Sequence, residues 1–393
     1  MAQYGAVTLA IIGAALAALG AIAVGVGILP PAELVTVAER VWPVLVFVVS
    51  VTVVSELAAR AGLFDLLAGR LARLARGRTA VLWILIVALA VTATAFLSLD
   101  TTAVLLTPVV VAVAVSRRLD PLPFAFVTVV LANTASLVLP VSNLTNLLSL
   151  DRLGTGNDPA AFLRLLGPSA LLAIVVSVGV LSVVFLPRLP RTHPTASEPV
   201  TADRPLLIAA GVVTGALLPL LVSGLEPWIP ATAAALVLAA VFAWRAPKAL
   251  SVRLVPWSLL IFVLGLFTAV AALESLGSGR VLGVIAGSGE DLFSLWQLAG
   301  AGALLANGIN NLPAYLALEA VADSPARLAA LLVGVNAGPL VTPWASLATL
   351  LWADRLRAAG VPVRWRTFVI LGLVIAPLTL FLAVVPLALG APR

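Results

Sequence analysis

Apolar runs longer than 17 residues constrain this chain more than any other feature. Residues 79–97 read TAVLWILIVALAVTATAFL, and 165–186 and 367–389 are as poor in charge. A helix rises 1.5 Å per residue, so a run of about 20 such residues matches a hydrocarbon layer of about 30 Å. Composition agrees: 62% of the 393 residues are hydrophobic and 10% charged, whereas soluble domains are nearer half and a quarter. The expectation is an all-α polytopic membrane protein whose surroundings are the lipid bilayer.

Several functions fall away on composition. The chain has no cysteine and a single histidine, so disulfides, thiolate chemistry and histidine metal clusters are excluded. His193 falls in a polar loop and reads as solvated. No nucleophile–histidine pair or metal-ligand set is present, so neither an enzyme nor a cofactor is expected. The net charge of +6 tracks membrane orientation and is no sign of nucleic-acid binding. Residues 1–8 lack a basic leader, so the run 6–29 reads as a span that stays.

Full spans are expected at 6–29, 41–57, 122–150, 165–186, 206–224, 228–244, 255–273, 328–353 and 367–389. Two further apolar stretches, 79–117 and 293–322, read as re-entrant helical hairpins, with polar apices SLDTT and NGINN. Residues 58–78 alternate Leu and Arg at helical spacing and read as an amphipathic helix on the membrane surface. The proline-rich loop 187–205 splits the chain into a first half, 1–186, and a second, 206–393.

Charge tests the topology. With the N-terminus cytoplasmic and each hairpin returning to its own side, all but six of the 23 basic residues fall in cytoplasmic segments. The six are Arg40, Arg152, Arg164, Arg280, Arg327 and Arg393. The positive-inside rule is met at each cytoplasmic loop, and the C-terminus lies outside. The expected location is the plasma (inner) membrane. Full spans in place of the hairpins satisfy the same count; the polar apices and the repeat favour re-entry. Glu274 and Glu319 fall near the outer surface and read as solvated. Glu56 ends its span beside the Arg-rich surface helix, and the tryptophans read mostly as interfacial anchors.

The halves contain an internal repeat. NTASLVLPVSNLTNLL, 133–148, aligns with NAGPLVTPWASLATLL, 336–351, at a constant offset of 203: Asn133 meets Asn336, Pro140 meets Pro343, and Leu144 meets Leu347. The segments run in opposite directions in this topology, so the halves read as inverted repeats. Such repeats place a substrate site at the midplane, between interrupted helices. Proline removes a donor and clashes with the preceding turn, so Pro140 and Pro343 read as helix breaks. Polar residues cluster there: Ser136, Ser142, Asn143, Thr145 and Asn146 in one half, Thr342, Ser346 and Thr349 in the other.

Asp100 is the single ionisable residue between Arg78 and Arg117. A carboxylate at the bilayer centre costs at least about 2.5–3.5 kcal/mol. It reads as a group that trades a proton or cation for another ligand. Capping of the helix that begins at Thr101 and Thr102 is a second role open to it. Asn310 and Asn311 sit at the opposite apex, with amides that both donate and accept.

At these segments the chain resembles the ion-transporter superfamily of secondary carriers, and within it the arsenite/antimonite efflux permease family. The resemblance rests on DTTAVLLTP (100–108), NTASLVLPVSNLTNLL (133–148), NGINNLPA (307–314) and GPLVTPWASLATLLW (338–352). Residues 53–78 also resemble that family's acidic helix end and basic surface helix. The chain is one N-terminal span shorter than the usual permease, and its first apex reads Ser-Leu-Asp where the family often has paired asparagines before the acid. The resemblance implies a homodimer and leaves room for a cytoplasmic ATPase subunit. It implies proton-coupled export of arsenite or antimonite by alternating access. As(OH)3 and Sb(OH)3 are neutral solutes that need hydrogen bonds, which the Asn, Ser and Thr residues supply. A sodium/proton antiporter and a dicarboxylate or other anion carrier of the same superfamily are the alternatives.

Overall fold

The computed structural model describes residues 2–194, 203–276 and 279–390. Part of the linker 187–205 lies outside the described residues, as do Arg393 and the side chains of Glu274 and Arg280. Among the described residues there is no strand, and the helices follow in this order. The first half holds α1 (Ala2–Gly25), α2 (Pro31–Arg60), α3 (Leu63–Leu74), α4 (Thr79–Leu97), α5 (Leu99–Thr101), α6 (Thr107–Ser116), α7 (Pro121–Thr134), α8 (Leu144–Leu153) and α9 (Pro159–Phe185). The second holds α10 (Arg204–Leu221), α11 (Trp228–Arg245), α12 (Trp257–Ser275), α13 (Gly279–Ala286), α14 (Leu292–Ile309), α15 (Asn311–Glu319), α16 (Pro325–Ala337), α17 (Leu347–Ala358), α18 (Trp365–Ala383) and α19 (Val385–Gly390).

Eight helices among the described residues are long and apolar enough to cross a membrane. The runs at 122–150 and 328–353 are each split into two helices, as their prolines predict. The first breaks over residues 135–143, where two 3-10 turns flank an extended Leu139. The second breaks over 338–346, with no regular helix. Both breaks contain the expected proline, which cannot donate to the preceding turn.

Each apex turns on a residue in a glycine-like conformation. Ser98 has φ 86° and ψ 160°, and Asn310 has φ 110° and ψ 155°. This region costs a side-chain-bearing residue about 1–3 kcal/mol and is found at ligand clamps and switch points. Past Ser98 the chain runs as one helical rod, Leu99–Ser116, with a π-helical stretch at Thr102–Leu106. The first apex lies level with the start of α8, whose 10 residues continue for about 15 Å beyond it. The second lies level with the start of α17, whose 12 residues continue for about 18 Å. Both apices therefore meet at one place inside the protein, where they line a common pocket with the residues that precede α8 and α17.

In the second half the backbones come very close. A Cβ on Gly334 would collide with the Ala299 backbone, and one on Gly338 with Ala303 and the Gly334 carbonyl. This small-xxx-small face lets α16 lie directly on α14.

Several sequence expectations need correction. The surface helix is shorter than 58–78: α2 runs to Arg60, and the amphipathic piece is Leu63–Leu74, with Phe64, Ala68 and Ala72 buried. Trp83 and Trp352 are core residues, not anchors, at 1% and 0% exposure. Trp352 donates to the Ala125 carbonyl at 2.8 Å and packs against Phe126 and Phe368. His193 is buried, its amide bonded to the Gly77 carbonyl at 2.8 Å. Glu319 is 3% exposed, because two arginines from the first half reach it. Arg40 and Arg327 sit within helices. Arg327 is buried and donates to the carbonyls of Gly287, Gly289 and Val321. The short helix α13 was not foreseen.

Candidate functional site

Four helices begin around one pocket. The residues just before them, Ser98, Asn143, Asn310 and Ser346, all line it, together with Asp100 and Asn311. Phe47, Val51, Leu144 and Phe262 supply apolar wall. The free space is about 80 Å³, room for a few waters at about 10–15 Å³ each. Helix N-termini carry unpaired N–H groups and about half a positive charge each, so the pocket attracts oxygen lone pairs and negative charge.

Three of the four N-termini are capped from within. Ser98 Oγ accepts from the Thr101 amide at 3.4 Å, Asn143 Oδ1 from Thr145 at 3.4 Å, and Asn310 Oδ1 from Leu312 at 3.3 Å. The fourth is open: Ser346 makes no side-chain cap on α17, and its buried Oγ has no partner among the described residues. The same is true of Oδ1 of half-buried Asp100. The expected capping of Thr101 and Thr102 by Asp100 is absent; Ser98 takes that role. Thr101 donates to Ser55 Oγ at 3.3 Å, and Thr102 receives a bond from Thr94 Oγ1 at 2.9 Å.

Behind the pocket a buried amide network joins the halves. Asn336 Oδ1 accepts from Asn143 Nδ2 and Thr145 Oγ1, both at 2.8 Å, and Asn336 Nδ2 donates to Asn146 Oδ1 at 2.7 Å. Asn146 Nδ2 in turn donates to the carbonyls of Ser136 and Leu139, and the Ser142 hydroxyl, with one hydrogen to give, sits within bonding reach of the same two. Ser136 Oγ donates to the Asn133 carbonyl at 2.6 Å. The carbonyls freed by the Pro140 break are thus satisfied by side chains, as a low-dielectric interior requires.

The expected residues therefore separate into groups. Asp100, Asn143, Asn310, Asn311 and Ser346 line the pocket. Ser136, Ser142, Asn146 and Asn336 brace it, and Thr101 and Thr102 hold the first apex. Asn133 and Thr349 are buried beside the breaks, each with one oxygen lacking a partner among the described residues. Thr342 is tied to Asn307, its hydroxyl donating to the Asn307 carbonyl at 2.7 Å. Asn307 is itself a hub: Oδ1 accepts from the amides of Val341 and Thr342, and Nδ2 donates to the carbonyls of Ala303 and Gly338. It and Ser98 stood in the quoted apex motifs, but no role followed from their spacing.

The pocket has different surroundings on its two sides. Towards the face holding Asp354 it adjoins a vestibule of about 500 Å³ that shares Asp100 with it and is also lined by Glu56, Thr101 and Trp344. Glu56 lies 4.0 Å from Arg60 of its own helix. Towards the face holding Arg40 and Asp151 there is a smaller recess of about 170 Å³.

This arrangement has relatives. The family described as citrate transporter matches residues 4–349. The arsenical pump membrane protein of Escherichia coli is 31% identical over 399 residues, covering 95% of this chain and 92% of that one. The arsenical pump membrane protein of Yersinia enterocolitica is 29% identical, covering 94% and 91%. An uncharacterized transporter of Mycobacterium tuberculosis is 27% identical, covering 88% and 85%. Among solved structures, the YdaH transporter of Alcanivorax borkumensis shares the fold at a TM-score of 0.59 and 14% identity, covering 98% and 97%. The chain is a multi-pass membrane transporter that belongs to the citrate-transporter family of the ion-transporter superfamily, alongside the arsenical pump membrane proteins.

Proposed function

We propose that this protein is a secondary carrier that exports arsenite or antimonite in exchange for an inward proton. One observation carries the reading: Asp100, whose Oδ1 has no partner among the described residues, lines a small pocket whose other polar groups are amides, hydroxyls and helix N-termini. A neutral trihydroxide matches both sets of groups. Its oxygens accept from the N–H groups at the open start of α17 and from the Asn311 amide, while its hydroxyls donate to Asp100. When Asp100 takes a proton it no longer accepts those bonds as a carboxylate, so proton and solute compete for one group, which is the requirement for exchange. The names of the relatives support the choice of solute.

Alternating access follows if the halves are inverted repeats. The matched dihedrals of Ser98 and Asn310 and the two breaks 203 residues apart support that division. The Arg-rich face of Arg60, Arg117 and Arg357 is then cytoplasmic, with the N-terminus. A second reading, an anion carrier, draws on the four converging N-termini and the citrate-transporter match.

Flux in everted membrane vesicles separates the two. Arsenite uptake that a protonophore collapses, and that Asp100→Asn abolishes, is the expected result. Citrate or dicarboxylate uptake with no arsenite uptake overturns the first reading in favour of the second.

A further inference from the structure

Glu319 ends α15 as a carboxylate with 3% exposure. It is held by three groups: Arg40 of α2 donates to Oε1, the Tyr315 hydroxyl donates to the same oxygen at 3.0 Å, and Arg152 of α8 lies 3.7 Å away. Arg40 also donates to the Leu148 carbonyl of α8 at 2.9 Å. The cluster therefore ties three helices together at one point.

Its position gives the tie a meaning. Both α8 and α15 start at the pocket, at Asn143 and Asn310, and both end at this cluster. At 1.5 Å per residue the cluster stands about 14 Å from the pocket, towards the Arg40 face. Between them, Phe47 and Leu147 line both the pocket and the recess beyond, and so form the partition. On the opposite side the wide vestibule shares Asp100 with the pocket. One side is thus joined to a large space, and the other is narrowed by an apolar pair and clamped by a buried charge cluster.

Buried ion pairs add little to stability compared with apolar packing, because desolvation offsets their attraction. Their better-attested use is to select one arrangement over another. We propose that the Glu319 cluster is the latch of a gate on the Arg40 face, holding α8 and α15 against α2 so that Phe47 and Leu147 close the pocket there. Release of the latch opens the pocket to that face. The gate rests on the transport reading but not on the identity of the solute.

The natural absence of cysteine gives a test with no background. Single cysteines are placed at Leu144, in the pocket, and at Leu350, in the opposite vestibule, in the full-length protein in its membrane. A membrane-impermeant maleimide is applied to either face, without substrate. With Glu319 intact, the cysteine at 144 reacts from the Asp354 face and not from the Arg40 face. In Glu319→Gln it reacts from the Arg40 face at least about tenfold faster, a usual size for coupling between two states, while the cysteine at 350 becomes slower to label. General loosening of the fold would speed both, and that result overturns the latch, as does a cysteine at 144 that stays closed to the Arg40 face. If Glu319→Gln does not accumulate, Arg152→Gln takes its place under the same criteria. Labelling as expected with no arsenite flux leaves the gate standing and removes the solute; arsenite flux with the wrong labelling pattern does the reverse.

Discussion

The two broken segments match at an offset of 203, yet they spend their polar atoms differently. At each matched pair, one residue is fully engaged and the other is not. Asn336 makes three bonds across the halves, while Asn133 Oδ1 has no partner among the described residues. Asn143 caps its helix and Asn146 ties up the freed carbonyls; their counterparts Ser346 and Thr349 have buried hydroxyls without such partners. At the apices the matching residues Ser98 and Asn310 both cap their helices, and Asn310 also donates to the Trp344 carbonyl at 2.9 Å; the unengaged group is Asp100, two residues past Ser98, whose Oδ1 has no partner among the described residues. An unpaired polar group in a dry interior costs free energy, so leaving one at each matched pair needs a use. Engaged members lock the halves together; unengaged ones such as Asp100 and Ser346 keep bonding capacity for a ligand.

The largest expected effect is at the unengaged apex. Asp100→Asn keeps the shape and removes the titrating group, so proton-driven arsenite flux falls to the level of empty vesicles while the protein still inserts and folds. Asn310→Asp, at the engaged apex, retains the cap acceptor but loses the donor to Trp344; it lowers flux without abolishing it. Equal loss at both apices, measured in the same vesicles, would remove the distinction between them.

The next contrast is in stability. Asn336→Ala strands the Asn143 amide, the Thr145 hydroxyl and Asn146 Oδ1. Interhelical bonds in membranes are worth about 0.6–1.7 kcal/mol each, so the loss is about 3 kcal/mol. Asn133→Ala removes one bond, to the Val129 carbonyl at 2.9 Å, and costs about 1 kcal/mol by the same scale. Denaturant titration of the purified pair measures the difference. A reversed order means that Asn336 is not the brace between the halves.

Gly338 sharpens the comparison from the packing side. Its match at the same offset is Ala135, and that of Gly334 is Leu131, so the glycine pair that seats α16 on α14 has no counterpart at those positions in the first half. Gly338→Ala forces α16 off α14 and costs about 1–3 kcal/mol, as overpacking does. The altered α16 also shifts Asn336, so flux falls with stability. Thermal midpoints in detergent check this, and an unchanged midpoint would mean the two helices are less tightly seated than the backbone contact requires.

How far the sequence foretells this depends on the range of the interaction. Breaks at Pro140 and Pro343 were legible because proline acts on its own turn. The location of Asp100 at an apex was legible because a lone acid stands out in an apolar run. The partners of Glu319 were not: Arg40 is 279 residues away, and local hydropathy placed the acid in water. Trp352 was misread for the same reason, since its place beside Ala125 depends on how α17 folds back on α7. Ser98 was missed on different grounds, because a serine carries no sign that its backbone will take a glycine's conformation.

That backbone gives the smallest effect. Ser98→Gly relieves strain of about 1–3 kcal/mol but adds freedom to the unfolded chain, about 0.4–1 kcal/mol, and removes a long cap bond to Thr101. The net change in stability lies between about zero and a gain of about 2 kcal/mol. Ser98→Val, whose branched side chain resists positive φ, destabilises by more. If strain at the apex helps to hold Asp100 towards the pocket, Ser98→Gly loosens that hold, so flux falls while the thermal midpoint stays put or rises. A fall in flux with an equal fall in midpoint would instead make Ser98 an ordinary turn residue, and the likeness between the two apices would then be one of shape without shared use.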